Sequence, residues 1–86
     1  MTVRMWEVRA ASENAAAALV AWLLSTGLPA VAGEPGYDHG EVFTGAEHRV
    51  VVLTWWQDTS VEIPDPQTHL LARPAHAWDF QSAGVR

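Results

Sequence analysis

The chain has no cysteine, so no disulfide supplements its core, and no thiolate metal site is available. It also has no lysine; its five basic residues are Arg4, Arg9, Arg49, Arg73 and Arg86, against ten acidic ones. A formal charge of −5 with scattered cations argues against nucleic acid or an anionic membrane as partner, because both are held by a basic patch. Long apolar runs are missing as well. The longest weakly polar stretch, Ala15 to Leu24, is about half the length that spans a bilayer. The first ten residues alternate like a strand and carry no basic-then-apolar export pattern, which predicts a cytoplasmic protein. No glycine-rich phosphate loop follows a strand, no serine sits in a nucleophile motif, and the four histidines lack metal-ligand spacing.

What is present in excess is tryptophan: five in 86 residues. Tryptophan combines large apolar area with one polar N–H and is enriched in interfaces and aromatic-lined pockets. A chain this short buries only about 60–65% of its extended-chain surface, so oligomerisation is the common remaining supplement to its core.

Val3 to Arg9 reads as a strand with Trp6 and Val8 on one face and Val3, Met5 and Glu7 on the other. Ser12 is placed to cap a helix over Ser12 to Thr26 whose buried stripe is Ala15, Leu19, Trp22, Leu23 and Thr26. Gly27 is positioned as its C-terminal cap, with Pro29 preventing continuation. Leu28 to Gly36 makes a connection. Tyr37 to Thr44 is a second strand with Gly40 as a bulge or close-approach point, and Arg49 to Trp56 a third, the two forming a hairpin. A short helix is expected from Asp65 as N-cap and Pro66 as first residue, ending before Pro74. His76 to Phe80 is the last strand, with His76, Trp78 and Phe80 on one face, and Gln81 to Arg86 a tail. The order β-α-β-β-α-β predicts one α+β domain over residues 1–80, with a ferredoxin-like antiparallel sheet.

The third strand is apolar on both faces: Val51, Leu53 and Trp55 on one, Val50, Val52 and Trp56 on the other. A monomer does not expose such a set as one contiguous patch, and a strand buried on both sides demands a second layer. No third helix exists to supply it, so the expectation is a homodimer, sheet against sheet.

With this order of elements, Pro35-Gly36 entering the second strand and Trp56 ending the third, the chain resembles the antibiotic biosynthesis monooxygenase family over about Met1 to Phe80. The resemblance implies a dimeric α+β barrel whose pocket holds an apolar aromatic molecule. It further implies a cofactor-independent monooxygenase, although other members bind haem. The chain departs from the family after Trp56, where a proline-rich loop and a shortened helix replace a helix carrying an Ala-Phe pair and a later histidine. Of the Asn, Trp and His set in haem-degrading members, Asn14 at a helix start is the only asparagine here, so that set is not reproduced.

Cofactor-free oxygenation needs a base that makes a phenolate and groups that orient it. His39, on a strand expected to present Tyr37, His39, Glu41 and Phe43 together, is the first candidate base. Glu7 is the second, with pairing to an arginine across the dimer as its other role. Tyr37, Phe43, Trp55 and Trp56 are the candidate substrate contacts. The residues alone leave open a non-catalytic small-molecule-binding or accessory module.

Overall fold

The computed structural model describes all 86 residues as an α+β chain built on one four-stranded antiparallel sheet. The strands are β1 (Thr2–Arg9), β2 (Tyr37–Gly45), β3 (Arg49–Trp56) and β4 (His76–Gln81), in the spatial order β2-β3-β1-β4. This arrangement is compatible with a ferredoxin-like fold. β1 pairs with both β3 and β4, so the first strand of the chain is the centre of the sheet together with β3.

One face of the sheet is covered by a helix. α1 (Glu13–Trp22) starts at Ser12, whose hydroxyl accepts the backbone N–H of Ala15 at 3.0 Å. The expected stop at Gly27 does not occur. Gly27 is right-handed helical at φ −62°, so it does not cap; the chain makes a π-helical segment over Leu23–Gly27 and continues as α2 (Leu28–Ala32). A π turn shifts the hydrogen-bond register, and Pro29 falls in the first turn of the next segment, where its missing N–H is tolerated. Gly27 is glycine for packing: a β-carbon there would lie 3.0 Å from the Trp22 ring and 3.2 Å from Leu23. The result is a helical stretch, Glu13–Ala32, of 20 residues, long and apolar enough by length and composition to cross a membrane, unlike the shorter run read from sequence. Its inner side packs on the sheet: Leu19, Leu23 and Leu28 join Trp6, Val8, Val50 and Val52 in the core.

The second expected helix is reduced to a single 3-10 turn, Thr68–Leu70. Only seven residues, Gln67 to Arg73, separate Pro66 from Pro74, and helices this short are marginal without strong packing. Their backbone finds better partners at the end of β1. Leu71 bridges Ala10, Ala11 donates to the Leu70 carbonyl at 2.9 Å, and Ala72 donates to that of Arg9 at 2.9 Å. β4 runs one residue further than expected, and Gln81 donates from Nε2 to the Thr2 hydroxyl at 2.8 Å.

The β2–β3 turn, Ala46–His48, holds two successive non-glycine residues in the left-handed region, Glu47 at φ 59° and His48 at φ 60°. Such conformations are uncommon outside glycine.

Candidate functional site

The strand registers assign every side chain of the sheet to one of two faces. Thr2, Trp6 and Val8 of β1 point toward the helix with Val50, Val52, Thr54 and Trp56 of β3, and all seven are buried. The opposite face carries Val3, Met5 and Glu7 of β1 beside Trp55, Leu53 and Val51 of β3, with Phe80, Trp78 and His76 on β4 and His39, Glu41 and Phe43 on β2. Nothing in the chain covers this second face. Phe43, Trp78 and Phe80 remain 39%, 47% and 50% exposed on it.

The residues expected to act together are divided between the faces. β2 slips register between Tyr37 and His39, so Asp38 is an extra residue and the two neighbours point oppositely. The expectation that Tyr37 shares a face with His39, Glu41 and Phe43 is therefore corrected. Tyr37 stands on the helix side, edge-on to Trp56 with ring centroids 5.3 Å apart. Its hydroxyl would be 2.9 Å from a β-carbon at Gly40, and Leu28 equally close, which makes Gly40 the anticipated close-approach point. Burial pushes the Tyr37 phenol above its ordinary value of 10.0, because the phenolate would lose solvation. Trp56 is fully buried and donates its indole N–H to the Thr54 hydroxyl at 2.8 Å, so it is a core residue with a satisfied polar tip.

On the open face, His39 lies flat on Trp55, with centroids 4.2 Å apart and planes within 8°. Its Nδ1 is hydrogen-bonded to the Asp38 carboxylate supplied by the bulge. This is an acid–imidazole pair with Nε2 left free, the arrangement that fixes a histidine's tautomer. Glu7 lies on the same face, two strands away. It takes arginines of its own chain: Arg73 donates from Nη2 at 3.4 Å, and the Nε of Arg49 is 3.9 Å distant. Phe43 is on the open face, opposite Val51. His39, Trp55 and Phe43 are thus brought to one surface, while Trp56 belongs to the core behind it and Tyr37, partly buried, stands on that same helix side.

A cleft of about 670 Å³ opens on the helix side of the sheet, beneath the segment that fails to form a second helix. Arg4, Trp6 and Ala77 make its floor, and Ile63, Pro66 and Leu71 are among its walls. Arg4 is held there by Glu62 at 3.0 Å and Asp79 at 3.2 Å, and Ser60 donates to the same Asp79 oxygen at 2.7 Å. None of the candidate catalytic or substrate-contact residues, Glu7, Tyr37, His39, Phe43, Trp55 and Trp56, lines this cleft. The signal for it was negative: three prolines in Pro64 to Pro74 leave the β1–β4 half of the sheet without a helix. No group of three His, Asp or Glu side chains is placed to hold a metal ion.

No protein-family model matches the chain, and neither a curated protein nor a solved structure matches it.

Proposed function

We propose that this protein is a homodimeric, ferredoxin-like small-molecule-binding protein in which the helix-side cleft of each protomer receives a largely apolar ligand. The observation that carries the reading is the cleft itself. Trp6 and Ala77 offer a flat apolar floor, prolines and aliphatic side chains form part of the walls, Asp65, Thr68 and Arg73 give the rest a polar rim, and Arg4 is already oriented by Asp79 and Glu62. Concave, mostly apolar sites with a few placed polar groups are where small molecules bind. The dimer is supported by the open sheet face, where Val3, Met5, Phe43, Val51, Leu53, Trp55, Trp78 and Phe80 adjoin. A contiguous patch of that kind is rare on a monomer. Two copies packed sheet to sheet would make the α+β barrel that the family resemblance implies.

The test uses 1-naphthol, a flat phenol, as probe. Saturable quenching of tryptophan fluorescence is expected, lost in Trp6→Phe and in Ala77→Phe, which fills the floor, while the thermal midpoint of the second variant stays within a few degrees. Quenching that survives both substitutions would place the ligand elsewhere and overturn the cleft reading.

A second reading, a cofactor-independent monooxygenase, is favoured by the Asp38–His39 pair against Trp55. There His39 would take the phenol proton, and the phenolate would react with oxygen at the open face or dimer interface. Oxygen uptake with 1-naphthol, abolished in His39→Gln with the fold intact, is the result this reading requires; a wild-type protein that consumes no oxygen with this phenol sinks it for that substrate class.

A further inference from the structure

Three of the five arginines of this acidic chain meet at one end of the open sheet face. Arg9 and Arg49 are direct register partners on β1 and β3, and Arg73 reaches the same place from the segment preceding β4. Like charges directly opposite on adjacent strands repel, so the arrangement is unfavourable unless anions compensate it. The chain supplies two carboxylates. Glu47 takes Arg9 through Nη2 at 2.7 Å, and Glu7 is shared by Arg73 at 3.4 Å and Arg49 at 3.9 Å. The last separation is too long for a hydrogen bond. Three guanidinium groups therefore face two carboxylates. The Nε atoms of both Arg9 and Arg49 are shielded from solvent and have no hydrogen-bond partner. His76, the register partner of Glu7, adds a group that is cationic when protonated.

We propose that Arg9, Arg49 and Arg73 form a binding site for a compact oxyanion, a carboxylate or a phosphate monoester, seated across the Arg9–Arg49 register pair. Side chains directly opposite on neighbouring strands are about 5 Å apart at Cβ, which one oxyanion can bridge. A guanidinium presents donors as a planar fork that matches two oxygens of such a group. The two shielded Nε donors are the ones a bound oxygen would satisfy, and Arg73 approaches from the loop side. Glu7 acts as an internal occupant, holding Arg49 and Arg73 in place at long range and competing with the incoming anion. The rest of the chain is too acidic for an extended polyanion, so the site suits a single anionic group. Arg73 also borders the cleft of the proposed function, but Arg9 and Arg49 do not, so the site does not rest on that reading.

The competition gives a test with opposite signs. The full chain is titrated with inorganic phosphate and, separately, with malonate, at ionic strength held constant with chloride, following the arginine Nε–H resonances. Saturable shifts at Arg9 and Arg49 are expected with at least one anion, and which of the two binds tighter distinguishes a phosphate-bearing from a carboxylate-bearing ligand. Arg49→Gln should weaken binding roughly tenfold by removing charge-assisted hydrogen bonds. Glu7→Gln should tighten it several-fold. Arg73→Gln, in an exposed loop, provides a second loss should Arg49→Gln fail to fold. No saturation with either anion at tens of millimolar, or a Glu7→Gln protein that binds more weakly, overturns the site.

Discussion

Trp56 and Trp55 are neighbours in the chain and opposites in the fold. Trp56 is fully buried beneath the helix and gives its N–H to Thr54, while Trp55, on the uncovered face, lies flat against His39. The same contrast holds along the sheet. Beneath the helix the covered face is a closed core of valine, leucine and tryptophan and opens only at the cleft over β1 and β4. The other face presents Trp78 and Phe80 half exposed at one edge, His39 and Glu41 at the other, and Glu7 and arginines between. Burial with every polar atom satisfied is the signature of a face built for folding. Large aromatic side chains left in solvent on one face are what the proposed sheet-to-sheet dimer would cover.

The largest expected break in this comparison comes from truncating each tryptophan in turn. Trp56→Ala removes a large buried side chain and strands the Thr54 hydroxyl beside a cavity, at a cost of about 3–5 kcal/mol. For a domain this small that is much of the total stability, and the urea midpoint should collapse. Trp55→Ala should cost the protomer about 1 kcal/mol, since the ring is only partly buried and no cavity closes around it. Equal losses in denaturant titrations of the two variants would show that the faces are packed alike in solution.

Next in size is the effect on assembly. Trp78→Glu places a charge on the β4 edge of the open face, beside Met5, without touching the covered one. Light scattering at micromolar concentration should read a dimer for the unaltered chain and a monomer for the variant, whose circular dichroism is unchanged. A monomeric mass for the unaltered chain removes the dimer altogether.

A smaller, more local loss is expected at Thr54. Thr54→Val keeps the shape but deletes the acceptor for the Trp56 indole, leaving a buried N–H unpaired at a cost of about 1–3 kcal/mol. The mirror substitution on the other face, Leu53→Val, leaves no polar group stranded and should cost less in the same thermal melts.

Much of this division is legible in the residues. Alternation in Val3 to Arg9 correctly separates Trp6 and Val8 from Met5 and Glu7, and doubled apolarity in β3 correctly announces that Trp55 and Trp56 face opposite ways. What is not legible depends on register and on competition between segments. The bulge at Asp38 carries no pattern of its own, yet it decides that Tyr37 and His39 part company. Pro29 reads as a stop, but a π turn lets the helix pass through it. The Asp65–Arg73 segment has a helix's capping signals, and loses them to backbone pairing with Ala10 and Arg9, which only the folded sheet makes available. The cleft and the arginine cluster both follow from that one return of the chain, so neither has a sequence motif.

The subtlest expectation concerns Tyr37, the sole tyrosine and hence an unambiguous reporter of the covered face. Its phenol is pushed above 10.0 by burial, which penalises the phenolate. The folded state therefore holds the phenolic proton more tightly than the unfolded chain does. Stability from this source is complete below pH 10.0 and is lost as pH rises through the raised folded value. Phenolate absorbance should appear later in the folded protein than in urea, and the alkaline fall in stability should be shallower in Tyr37→Phe. His39, two residues on and across the bulge, offers the contrast: its side chain is half exposed on the open face, so its proton exchange with solvent should be fast in NMR spectra while the Tyr37 hydroxyl, packed on Gly40, exchanges slowly. Fast exchange at both positions would mean that the Asp38 bulge does not separate the two faces in solution.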